Sequence, residues 1–371
     1  MKKIIYLFIL LNSLLSFSQN TETSGYQLEN FAPKSPEAAA FLKYGEYPVD
    51  LSTGVPNISI PLYTIDVGDY KLPISLDYHA SGIKVNQQSS WVGLGWNLSY
   101  GAQIILDTRD APDEYNPAYF DLPNSNDVSN YIENNPLGYF HSFFQNLKQF
   151  SWIRDVYNFS SPTASGKFII DGTSLSEHIT VYPPDAFKVE LLGGVTTRRF
   201  RITDAYGNIY FFDNTKEFSQ TLQQYQPPLY TSAWFVDKIE TKNHKLIEFF
   251  YEDGGDVVDV NYSENINHNK LLIPNYNCIY DAVPHKETLS SITTNLNNLY
   301  TSTKKISRIE FERGKVSFNT SSGRLDYYNL NDITSLTNGP KKLDNIEIQA
   351  KDNLSNDYIT IKDYHFDYTY P

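Results

Sequence analysis

The stretch from Tyr78 to Tyr100, reading YHASGIKVNQQSSWVGLGWNLSY, limits the fold more than any other part of the chain. It joins two runs in which apolar residues recur at every second position. Upstream, Ile58, Ile60 and Leu62 alternate, and after a Val67-Gly68-Asp69 turn so do Leu72, Ile74, Leu76 and Tyr78. Downstream, Leu94, Trp96, Leu98, Tyr100, Ala102, Ile104 and Leu106 fall on one face. Period-two alternation puts such side chains on one side of a pleated strand. The region therefore predicts a β-hairpin followed by a long third strand. Pro56, Pro61 and Pro73 cannot donate to a ladder, which points to edge or bulged strands. Between the runs, Trp91 and Trp96 bracket Gly93 and Gly95. Glycine suits positive φ or the close approach of a ring or backbone. Two indoles beside such glycines predict a packed corner, with rings laid over bare backbone. The same residues also suit a sugar platform, but the corner is the preferred reading.

The rest of the composition agrees with a large β-rich protein. The chain has 29 Tyr, 22 Phe and 4 Trp against a single Met, and aromatic and β-branched residues fit a pleated, half-buried surface. Residues 1–18 read as a signal peptide. Lys2 and Lys3 precede an apolar segment from Ile4 to Leu15, and Ser16-Phe17-Ser18 offers small residues for cleavage before Gln19. No later stretch reaches the ~18 apolar residues of a membrane span. The chain is thus expected to be exported, secreted or at the cell surface. Loss of Lys2 and Lys3 moves the formal charge from −13 to −15. Such an acidic chain lacks the electrostatic footprint of a nucleic-acid binder. Cys278 is the only cysteine. It can form no intrachain disulfide and reads as a free, buried thiol, so the core alone must hold the fold.

Along the chain, Ser35-Pro-Glu-Ala-Ala-Ala-Phe-Leu-Lys43 predicts a short N-terminal helix, with Ser35 as cap and Pro36 in the first turn. Residues 107–136, rich in Asp, Asn and Pro, read as an acidic surface loop. Phe140, Phe143, Phe144 and Leu147 then follow helical spacing. They predict one helical insertion near 137–150 that caps a sheet edge. From Tyr157 onward short strands alternate with turns. Arg199–Thr203 is matched with Tyr210–Phe212, Trp234–Glu240 with Leu246–Tyr251, and Lys305–Phe311 with Lys315–Phe318. Residues 253–300, with many Asn, Ser and Thr, read as long connections. The organisation is a signal peptide over 1–18 and a β region over 19–107. An acidic loop and helical insertion follow over 108–160, and β-hairpins over 161–371.

Chemistry-bearing motifs are sparse. The chain has no nucleophile elbow, phosphate loop or paired-histidine zinc motif. Gly93-x-Gly95 lacks the rest of a dinucleotide fingerprint. The seven histidines are scattered without i, i+3 or i+4 pairs. Glu252, Asp253, Asp256 and Asp259 form the best metal candidate, since oxygen ligands at this spacing suit Ca²⁺. They do not follow the order of a helix–loop–helix calcium site, and a solvated hairpin loop is the preferred reading. The same preference applies to Asp107, Asp110, Asp113 and Glu114. No cofactor is expected, and the catalytic set is empty.

A family resemblance emerges from several of these segments together. Ser35-Pro-Glu-Ala-Ala-Ala-Phe41, Gly54-Val-Pro-Asn-Ile-Ser-Ile-Pro-Leu62, Leu72-Pro-Ile-Ser-Leu-Asp-Tyr78 and Gly93-Leu-Gly-Trp-Asn-Leu98 resemble the N-terminal region of RHS/YD-repeat proteins. That family includes the B components of insecticidal Tc toxin complexes. Ser165-Gly-Lys-Phe168, Tyr206-Gly-Asn-Ile-Tyr210, the Lys-Ile-Glu hairpins and Arg324-Leu-Asp326 look like later parts of the same proteins. The resemblance implies a mainly β fold of antiparallel, meandering sheets and hairpins, as in a hollow shell around a toxin or effector segment. A full YD-repeat array and the self-cleaving C-terminal core are missing, which implies an incomplete shell. Trp91, Gly93, Gly95 and Trp96 would be its structural signature. The implied role is a non-enzymatic secreted scaffold. Its partners would be the remainder of a shell, a cargo polypeptide, or a second copy joined through the C-terminal strand. A carbohydrate-binding or adhesive module is the alternative, and a polysaccharide hydrolase, which needs paired carboxylates, is the third reading.

Overall fold

The computed structural model describes residues 54–83, 87–109, 112–113, 154–173, 176–222, 229–272, 286–326, 338–352, 355 and 357–370. The signal peptide, the helix expected over 35–43, the helical insertion near 137–150 and Cys278 lie outside them. The described chain is mainly β, in two antiparallel sheets. The smaller holds β1 (Asn57–Asp66), β2 (Lys71–His79) and β3 (Trp96–Ser99) in that order. The β1–β2 hairpin carries a bulge between Pro61 and Tyr63. Pro61 has no N–H to give to the ladder, so the irregularity falls there.

The alternation from Leu94 to Leu106 hides a break. Instead of one strand the chain forms β3 and then β4 (Gln103–Asp107), which belongs to the larger sheet. The crossing runs through Gly101. A Cβ there would lie 3.0 Å from Phe249 Cε1 and 3.3 Å from Val236 Cγ1, so little more than bare backbone passes. Leu98, Ala102, Ile104 and Leu106 are all buried. The period of two therefore survives the change of sheet.

The larger sheet continues with β5 (Val156–Ser160), β6 (Ser165–Thr173), β7 (Ser176–Tyr182), β8 (Phe187–Leu192), β9 (Arg199–Asp204) and β10 (Ile209–Phe212). Next come β11 (Lys216–Leu222), β12 (Tyr230–Phe235), β13 (Lys238–Glu240), β14 (Leu246–Leu272) and β15 (Lys286–Phe311). The chain finishes with β16 (Gly314–Ser321), β17 (Lys342–Lys351) and β18 (Tyr358–His365). In space the order is β7-β6-β5-β4-β12-β11-β15-β14-β13-β10-β9-β8, with β16, β17 and β18 branching from β15. The path starts and ends on strands that follow each other in sequence, and the sheet curls into a nearly closed barrel.

The hairpins β9–β10, β13–β14 and β15–β16 occur with antiparallel registers. Residues 253–300 depart from the sequence reading, because they are largely strand. β14 and β15 run 27 and 26 residues and pair from Ile247 opposite Phe311 out to Leu272 opposite Lys286. Beyond Asn298, where β11 stops pairing with β15, the two arms are each other's only ladder partners among the described residues. Residues 263–267 and 291–294 are exposed. A ribbon wet on both faces needs no apolar alternation, so its Asn, Ser and Thr mimic a loop.

Aromatic rings fill the interior. Tyr157, Phe159, Phe168, Phe187, Phe200, Tyr210, Phe212 and Trp234 are buried. Their ring centres are 4.9–6.5 Å apart in mostly edge-on or tilted pairs. The quadrupoles of such rings favour that geometry over face-to-face sandwiches. Trp234 Nε1 donates to the Arg198 carbonyl at 3.0 Å, which satisfies the polar atom of a fully buried indole.

Candidate functional site

The corner around Trp91 is built on two glycines in the left-handed region, Gly93 (φ +116) and Gly95 (φ +76). A Cβ on Gly95 would sit 2.8 Å from Tyr78 Cε2, so the Tyr78 ring lies over bare backbone. Ser90 Oγ donates to the Trp96 carbonyl at 2.5 Å and accepts from the Val92 N–H at 3.1 Å. The two indoles take different places. Trp91 is 7% exposed, and its carbonyl accepts from the Leu343 N–H (2.9 Å) and the Tyr368 hydroxyl (3.1 Å). Trp96 is half-buried and lies 5.0 Å from the Tyr78 ring at a 48° tilt. They do not make a flat, exposed platform.

A cavity of about 300 Å³ opens beside this corner. Its walls include Trp91, Tyr100, Gln103, Glu217, Lys305 and Arg324. Glu217 comes from β11, where its Oε1 accepts from the Lys304 N–H at 2.9 Å. Burial pushes the Glu217 carboxyl above the usual range, against the pull of Lys305. Lys305 comes from β15, with its ammonium 5.9 Å from the Trp91 ring centre. Burial holds that ammonium below the usual lysine range, with Glu217 opposing the shift. The two charges share a chamber without making an ion pair or hydrogen bond to each other. Arg324, by contrast, is fully engaged: it donates to Asp326 at 3.0 and 2.8 Å and to the Ser89 carbonyl at 2.8 Å.

The calcium candidates lie inside β14 rather than in a hairpin loop. Glu252 accepts from Thr320 and lies 3.4 Å from the Lys341 ammonium. Asp253 accepts from the Asn338 side chain at 2.8 Å, and Asp256 faces Tyr300, whose phenol it helps to push up to about 12. Asp259 continues the strand opposite Leu299. Among the described residues no group of three or more His, Cys, Asp or Glu side chains forms a metal cradle. The double glycine between the acids is a bulge, with the ladder register shifting between Asp253 and Gly255. Gly255 has φ +84, and its Cβ would lie 2.2 Å from the Gly339 carbonyl oxygen. A Cβ on Gly254 would lie 2.7 Å from Lys305 Cγ and 2.6 Å from Thr303 Oγ1. The bulge thus seats the lysine stem that reaches the cavity.

Asp113, read from sequence as part of a solvated acidic cluster, is 3% exposed. It and Asp155 (1% exposed) accept from each other's backbone N–H, at 2.8 and 3.0 Å, and Asp155 also accepts from the Arg109 N–H at 2.8 Å. Burial raises both carboxyls, Asp155 to about 6. Asp107 stays at the surface with Arg109, and Asp110 and Glu114 lie outside the described residues.

No family model matches the chain, and no curated protein matches it. A nearly closed antiparallel sheet does not by itself single out a family, since one architecture hosts many functions.

Proposed function

We propose that the chain is a non-enzymatic exported scaffold, the N-terminal shell portion of an RHS/YD-repeat system. Two features support the reading. The Gly-Leu-Gly-Trp segment that carries the resemblance serves as a corner, tying the small sheet to β17 through the Trp91 carbonyl. The observation that carries the proposal is β18, which pairs with β17 and with no other strand among the described residues. An edge strand presents a row of free N–H and C=O groups to which further sheet can be added.

The test is amide exchange of the full chain, with and without a YD-repeat polypeptide encoded beside it. The scaffold reading expects Tyr358–His365 to become protected on mixing. Unchanged exchange along β18, or no such neighbouring reading frame, overturns it. The surface sugar-platform alternative is disfavoured because Trp91 is 7% exposed. A hydrolase needs two carboxylates at ~5 to 9.5 Å, whereas among the described residues Glu217 is the one carboxylate on the cavity wall.

A further inference from the structure

The cavity beside Trp91 contains an arrangement that neither the core nor the scaffold role uses. Lys305 carries its charge into a half-open cavity, over the Trp91 ring, with no hydrogen-bonded acceptor and no ion-pair partner among the described residues. That side chain is half-buried, so the ammonium keeps part of its water, which an anionic group on a ligand can replace with a stronger charge-assisted contact. Glu217 gives one oxygen to the Lys304 N–H and leaves the other without a hydrogen-bond donor. The cation and the anion line the same chamber without meeting. Each is therefore open to a complementary group on a third molecule.

The remaining walls narrow the class. Leu98, Tyr100, Phe235 and Val257 supply the apolar part of the wall, against which the C–H face of a small ring packs. Gln103, Asn97 and Ser89 bring amide and hydroxyl groups to the same space. At about 300 Å³ the chamber holds one small ring compound and no polypeptide. Arg324 is already neutralised by Asp326, so Lys304 and Lys305 are the cations of this wall left to choose the ligand's charge. A matching ligand has one carboxylate, several hydroxyl donors and a ring.

We propose that this cavity binds a hexuronic acid, free or as the end of an acidic polysaccharide. Lys305 would take the carboxylate, Glu217 a hydroxyl, and the apolar wall around Tyr100 the ring face. The inference is independent of the scaffold reading, because the described walls of the cavity do not involve β18. It also gives the Gly254-Gly255 bulge a purpose. The bare backbone at Gly254 lets the Lys305 stem lie down and aim inward.

The experiment is calorimetric and NMR titration of the full chain with galacturonate, glucuronate, galactose and L-glutamate, with thermal melts alongside. Saturable uronate binding at least tenfold tighter than galactose supports the proposal, whereas equal binding, no saturation, or preference for glutamate overturns it. Lys305→Gln should weaken uronate binding at least tenfold while the melting temperature stays within a few degrees of the parent, because the side chain is half-buried and makes no hydrogen bond or ion pair among the described residues. If Lys305 serves only the fold, the substitution lowers the melting temperature and leaves no uronate binding to lose. That outcome refutes the site. Glu217→Gln is a second check. It should weaken uronate binding less than Lys305→Gln does, and an unaltered titration in both variants also refutes it. Comparing the monosaccharides with oligogalacturonides separates a free sugar acid from a chain end.

Discussion

Single residues decide the corner and the acid response. Trp91 is the buried indole, and Trp91→Ala should cost about 3–5 kcal/mol, the range for removing a core aromatic. Trp96→Ala should cost less than Trp91→Ala, since its side chain is only half-buried. Chemical denaturation of the two variants checks the order. Asp155 controls a pH window. Its carboxyl is raised from 3.8 to about 6, so the folded state holds a proton that the unfolded chain has released. Stability from this residue is fully present below about pH 3.8 and falls as pH rises to about 6, a loss on the order of 3 kcal/mol. Asp113 is raised as well and acts in the same direction. Asp155→Asn removes this titration. The stability advantage of the parent over Asp155→Asn should therefore shrink between pH 4 and 6.5, as urea melts at each pH would show. The corner was legible because its glycines and indoles sit within six residues. The aspartate pair was not. Its members are 42 positions apart, and nothing local marks either as buried.

At the scale of elements, the long hairpin was the least legible part. Composition reports solvent, and residues 263–267 of β14 and 291–294 of β15 are solvated strand. An apolar cross-strand pair there, Ile266 opposite Ile292, is 54% and 62% exposed. Among the described residues the outer ribbon has no ladder to the barrel beyond Asn298. Replacing residues 262–296 by a two-residue turn should therefore leave the melting temperature within a few degrees of the parent. A large drop would mean the ribbon braces the barrel. The bulge at Gly254-Gly255 was misread for a related reason. A double glycine marks a turn and a bulge alike, and only the ladder partner distinguishes them. The hairpins with an apolar strand on each side, such as β9–β10, were legible because burial imposes the period of two.

For the whole molecule, the mainly β antiparallel class followed from alternation and aromatic content, but barrel closure did not. It depends on pairs such as β4 with β12 and β11 with β15, which no local pattern records. β18 is the exposed margin of the assembly, with Ile359 and Ile361 at 58% and 52% exposure. Light scattering of the full chain should show concentration-dependent association, and Ile359→Lys combined with Ile361→Lys should reduce it. Identical monomeric mass for both proteins would sink the edge-pairing idea.

The order of strands also makes the barrel a belt with a covalent buckle. β7 and β8 stand at opposite ends of the sheet path, yet only residues 183–186 separate them in the chain. Gly166 of β6 packs under that link, where a Cβ would meet the Tyr182 carbonyl oxygen at 2.6 Å. Among the described residues no ladder joins β7 to β8, so cutting the link would break no strand pairing. It would remove the tether that holds the two ends side by side. A nicked chain should keep its strand content and still be able to unroll, which turns the molecule from a ring into a strip.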